Sequence, residues 1–85
     1  MVQVILIINT YAYMLKIEKI VLDIVKARVG KKFFVSLDTN LKDELNFDML
    51  DYISLEMELE KKGIHVGFTQ LRDCQTVADI AMLLL

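Results

Sequence analysis

The sequence predicts an all-α fold: a four-helix bundle of three main helices and one short one, with a long ordered loop between the first two main helices. Three observations carry this. Apolar residues recur at spacings of three and four in three separate segments, the period of an amphipathic helix. Residues suited to helix capping precede each of those segments, and a glycine follows the first two. Proline is absent and only three glycines occur, so nothing breaks a long helix.

The first helix is predicted over residues 10–28. Ile17, Ile20, Val21, Ile24 and Val25 form its apolar side, and Lys16, Lys19, Asp23 and Lys26 the other. Asn9 or Thr10 is its candidate cap, and Gly30 its stop. Residues 30–47 then form a connection longer than the usual bundle loop of about 2–8 residues. Such a loop must be ordered by its own apolar anchors, and Phe33, Phe34, Val35, Leu37, Leu41 and Leu45 are assigned that part. Asn40, followed by Asp43, is placed to cap a helical turn over residues 41–45.

The second main helix is predicted from Met49 to about Lys62. Asp48 is its N-cap, with Asp51 at capping-box spacing. Leu50, Ile53 and Met57 share one face, flanked by Leu55 and Leu59, and Gly63 ends the helix. A short helix is expected near residues 68–72. The last begins at Thr76, where Asp79 completes a second capping box, and Val77, Ile80, Ala81, Leu83, Leu84 and Leu85 supply its apolar side.

With 85 residues the chain makes one domain, and a hydrophobic share of 55% suffices for a packed bundle without staples. The single cysteine, Cys74, excludes a disulfide framework and a Cys-based zinc site, and points to a reducing, cytoplasmic setting. The net charge of −2 is unevenly spread: residues 1–34 hold six bases and two acids, residues 35–60 one base and eight acids, and residues 61–85 three bases and two acids. The acidic middle argues against nucleic acid and for the basic surface of a protein partner; the plainer alternative is a solvated helix face.

Residues 1–13 are read as an uncharged apolar extension and residues 14–85 as the domain proper. The run Val2–Ile8 is far shorter than the roughly 20 residues of a membrane span, so no span is expected. Two readings of the extension stay open: translation beginning at Met14, or an extra strand or helix turn that packs on the body or on another copy through residues 2–8.

The start of the second helix carries a resemblance. Leu41 to Asp51 reads Leu-Lys-Asp-Glu-Leu-Asn-Phe-Asp-Met-Leu-Asp, and Asp48, Leu50 and Asp51 match the Asp-Ser-Leu-Asp signature of acyl carrier proteins. The similarity continues through Leu55, Met57, Leu59 and Glu60, then Ile64-His65-Val66 and Thr76-Val77-Ala78-Asp79-Ile80, and covers roughly residues 14–84. The chain thus resembles the acyl carrier protein family. The resemblance implies a carrier-type bundle with no enzymatic activity of its own. It also implies docking to synthase- or transferase-type enzymes of fatty-acid, lipid or polyketide synthesis through Asp48, Leu50, Asp51, Ile53, Met57 and Glu60.

One departure changes the expected chemistry. The family's serine, which carries 4′-phosphopantetheine, falls at Met49, which has no hydroxyl to form the phosphodiester. No cofactor is therefore expected. Ser54 lies more than a turn further along, Ser36, Thr39 and Thr69 lack the surrounding signature, and Thr76 is better used as a cap. Ser54 and Lys61 also fall where the family usually has acids. The leading expectation is a carrier-like binding module that has lost covalent carriage. The alternatives are a genuine acyl carrier protein seen as a serine-replaced variant, a non-covalent binder of acyl chains, and an unrelated helical interaction protein.

No nucleophile elbow, P-loop, H-E-x-x-H or paired Cys/His spacing occurs, so no catalytic residue and no metal site is assigned. His65, the one histidine, has no second ligand near it in sequence. Tyr11, Tyr13 and Tyr52 are read as packing or rim residues.

Overall fold

The structure, a computed structural model, describes residues 2–85. Its elements are α1 (Val2–Val29), α2 (Met49–Lys61), α3 (Phe68–Arg72) and α4 (Val77–Leu83). The domain is all-α: four helices, a long gap between the first two, and no strand among the described residues.

From Ile17 onward α1 buries Ile17, Val21, Ile24 and Val25 on one side, as the spacing predicts. It ends at Gly30, whose φ of +79° is open to glycine without strain and whose N–H donates to the Lys26 carbonyl at 2.9 Å. Its start differs from the prediction. The helix begins at Val2 rather than near Thr10, and Thr10 lies inside it with Oγ1 donating to the Leu6 carbonyl at 2.9 Å. A mid-helix threonine finds its partner one turn back, so the helix passes through without needing a cap there. The division drawn between residues 13 and 14 falls inside this single helix. Residues 3–13 are exposed, so the extension does not pack on the body.

The long loop is stitched to the start of α4. Val77 N–H donates to the Thr39 carbonyl at 3.3 Å, Ala78 N–H to the Leu37 carbonyl at 2.9 Å, and Leu41 N–H to the Gln75 carbonyl at 2.8 Å. Two of the amides that a helix start leaves unpaired thus find loop carbonyls. Asn40 Oδ1 accepts from the Lys42 and Asp43 amides at 3.0 and 2.8 Å, the capping predicted for this turn. Val35, Leu41 and Leu45 anchor the loop as expected, with Leu37 partly buried. Phe33 and Phe34 do not: they are 41% and 89% exposed. Phe47 takes their place. It follows Asn46, whose φ of +56° ends the turn over residues 41–45 so that Phe47 N–H donates to the Leu41 carbonyl at 2.9 Å, and its ring meets Tyr52 edge-on with centroids 5.4 Å apart.

α2 buries Tyr52, Leu55 and Leu59, while Gly63 caps its end by donating to the Glu60 carbonyl at 2.9 Å. α3 lies where predicted. α4 buries Val77, Ile80 and Ala81, but Leu83 and Leu85 stay largely exposed where an apolar side was expected. α1 packs on α2 and α4, and α3 packs on α2, so the core is shared by all four helices and the loop, with Leu71 as the contribution of α3. No helix among the described residues is long and apolar enough to cross a membrane.

Candidate functional site

The predicted docking residues gather at the start and outer side of α2. Asp48 and Asp51 form the capping box. Asp48 Oδ1 accepts from Asp51 N–H at 3.0 Å, and Asp51 Oδ2 accepts from Asp48 N–H at 2.9 Å. The free amides of the first turn make this reciprocal pairing favourable. Asp51 carries a second bond, from Arg28 Nε to Oδ1 at 2.8 Å. Partial burial pushes the Asp51 carboxyl up, but the Asp48 amide and the Arg28 guanidinium outweigh it and hold the carboxyl below its ordinary value. Both oxygens of Asp51 are therefore engaged within the fold, and the side chain is half-buried against α1.

The other assigned residues point away from the core. Since Tyr52, Leu55 and Leu59 define the inward side of α2, a turn of 100° per residue puts Leu50, Ile53 and Met57 on the opposite side, so Leu55 and Leu59 lie across the helix from that stripe instead of flanking it. They are 65%, 37% and 56% exposed, and Met49 at the first helical position is 61% exposed. Glu56 and Glu60 border this stripe on one edge, with no ion pair to either among the described residues. Glu58 lies on the other edge, paired with Lys61 at 3.0 Å. The result is an apolar stripe about two turns long with an acidic margin.

The remaining hydroxyls stand apart from Met49. Ser54 lines an open groove of about 310 Å³ between α1 and α2, with Ile24, Arg28 and Glu58. Thr39 is buried and its Oγ1 accepts from Ser36 N–H at 2.8 Å. Thr76 Oγ1 accepts from Asp79 N–H at 3.1 Å, completing the second predicted capping box.

Tyr52 is buried at 2% exposure, with its hydroxyl donating weakly to the Cys74 carbonyl at 3.4 Å. Burial pushes its phenol up to about 12. Burial likewise raises the Cys74 thiol, which keeps it protonated and inert near neutrality. Tyr11 and Tyr13 are exposed on α1. His65 is exposed in the loop before α3, and no cluster of His, Cys, Asp or Glu that could hold a metal ion occurs among the described residues.

Sequence reasoning missed Arg28. No local pattern links it to a residue of α2, 23 positions away. Glu56, by contrast, had a readable signal: it stands three residues after Ile53 and borders the same stripe.

The chain matches no family model, no curated protein and no solved structure.

Proposed function

We propose that this chain is an acyl carrier protein-like binding module. It docks on basic partner enzymes of fatty-acid, lipid or polyketide synthesis through the outer side of α2, and it carries no 4′-phosphopantetheine. On this reading the protein is not itself an enzyme, and it works in the cytoplasm. The observation that carries the proposal is the solvent-facing stripe of Leu50, Ile53 and Met57 beside Glu56 and Glu60. A surface helix of a free-standing bundle has no need of a second apolar side opposite its buried one. Apolar anchors rimmed by acids suit a partner with a basic rim around a small apolar pocket.

The residue at the first position of α2 supports the second half of the reading. An exposed side chain at a helix N-terminus is where a transferase would reach a serine hydroxyl, and where a phosphodiester would meet free amides. Met49 occupies that position with a thioether that forms no such ester.

The test is intact mass after incubation with a phosphopantetheinyl transferase and coenzyme A. The chain should gain nothing, while Met49→Ser should gain one phosphopantetheine arm. A Met49→Ser variant that stays unmodified while folded would remove the carrier-like reading. Docking is tested separately by kinetics on an immobilised basic partner from such a pathway. Glu56→Gln with Glu60→Gln should slow association and flatten its salt dependence, and Ile53→Ala should speed release. Asp48 and Asp51 are unsuited to that test, because both hold the start of α2.

A further inference from the structure

The first half of α1 is an arm, exposed from residue 3 to residue 13, that runs ahead of the buried core. Residues 2–15 rise about 21 Å at helical spacing, and the first α1 side chain buried in the core is Ile17. Val4, Ile5, Leu6, Ile7 and Ile8 are 57%, 58%, 59%, 68% and 59% exposed. Five consecutive residues at 100° each point in every direction around the axis, so the arm is apolar all round rather than along a stripe. It contains no Asp, Glu, Lys or Arg before Lys16.

That geometry distinguishes between occupants. A second copy laid side by side covers one side of the arm, a footprint of a few hundred Å² against about 800 Å² per partner at a standard stable interface. The opposite side would remain in water. A lipid phase covers every direction at once. The order of residues along the arm follows the order of layers in a bilayer. The apolar tip, Val4–Ile8, spans about 7 Å, within the roughly 15 Å of one hydrocarbon leaflet. Tyr11 and Tyr13 come next, 62% and 51% exposed, at the level where aromatic residues favour the interface. Lys16 follows, exposed, at the level of headgroups, while Lys19 three residues on is paired with Asp23 at 2.8 Å.

Asp48 and Asp51 sit beside Arg28, at the far end of α1 from the arm. α2 runs back from there along α1 toward the arm, since Ser54, Leu55 and Glu58 line one groove with Ile24, Val25 and Arg28. Lys61 and Lys62 therefore lie nearer the arm than the capping acids do, beside Glu58 and Glu60.

We infer that the arm, residues 2–15, is a monotopic anchor that enters one leaflet of an anionic lipid surface and holds the bundle against it without spanning. Lys16 adds electrostatic attraction to what the apolar tip supplies.

The test is flotation of the full chain with vesicles of phosphatidylcholine alone and with added phosphatidylglycerol. The chain should float with both, more strongly with the anionic vesicles, and less so as salt rises. Lys16→Gln should weaken binding to the anionic vesicles about fivefold. Ile5→Asp with Ile8→Asp should lower binding to both at least tenfold. All three residues are exposed, so circular dichroism should show the helices retained. The chain has no tryptophan, so Tyr11→Trp gives a single reporter whose emission should shift to the blue on adding vesicles. A chain that stays in the soluble fraction with both vesicles would overturn the inference. So would an Ile5→Asp, Ile8→Asp variant that loses oligomer mass but binds vesicles as the unaltered chain does, which would make the arm an interface between copies.

Discussion

Arg28 Nε donates to Asp51 Oδ1 at 2.8 Å and so joins the end of α1 to the start of α2 across 23 residues of sequence. The same carboxylate closes the α2 capping box through its other oxygen. One side chain therefore both starts a helix and sets it against its neighbour.

The two partners should differ in cost when removed. Asp51→Ala loses the box and the ion pair together, and should destabilise by about 1–2 kcal/mol. Arg28→Ala loses only a pair whose arginine is 42% exposed, and should cost about 0.2–1 kcal/mol. Urea unfolding of both variants checks the order; a larger cost at Arg28 would mean the pair outweighs the cap.

Acid should weaken the fold through the capping carboxylates. The Thr76 and Gln75 amides hold Asp79 below its ordinary value, and Asp51 is lowered as well. A carboxyl lowered on folding stabilises above its unfolded pKa of about 3.9, and that contribution fades as pH falls through this value toward the folded one. Urea midpoints should therefore drop below about pH 5. Asp79→Asn should start lower at neutrality and fall less steeply on acidification.

Alkali should act on Tyr52. Its phenol is pushed up to about 12, so stability is full below the unfolded pKa near 10 and is lost as pH rises through the folded value. Tyr52→Phe should flatten this loss and remove the late phenolate step from an ultraviolet titration. At neutral pH it should cost about 0.5–1.5 kcal/mol, since a weak hydrogen bond goes and the Cys74 carbonyl is left buried.

The two sides of α2 should answer differently to truncation. Leu55→Ala opens a cavity in the core and should cost about 2–5 kcal/mol, whereas Leu50→Ala should stay within about 0.5 kcal/mol. Leu55 is 2% exposed and Leu50 65%. Equal losses by chemical denaturation would place Leu50 inside the packing and remove the docking stripe.

Much of this architecture was readable from local chemistry. The boxes Asp48–Asp51 and Thr76–Asp79, the turn capped by Asn40, and the stops at Gly30 and Gly63 each depend on residues at most four apart. The buried side of α1 from Ile17 to Val25 followed from its period. The start of α1 misled because Asn9 and Thr10 look the same as caps and as interior residues; only the absence of a chain reversal tells them apart. Phe33 and Phe34 misled because an apolar side chain in a loop goes inward only if the backbone turns it there, and the turn at Asn46 does that for Phe47.

By itself the sequence determined an all-α domain, its helices after residue 16, its capping boxes and the lack of a hydroxyl at position 49. These depend on period, side-chain chemistry and neighbours along the chain. The tertiary structure decided which of the two apolar sides of α2 faces the core, that Asp51 is held by Arg28, that the loop carbonyls of Leu37 and Thr39 complete α4, and that the uncharged arm stands clear of the body. Each of these depends on which distant residue arrives at a given surface. Period alone does not say that, because burial rewards apolar area without specifying its partner.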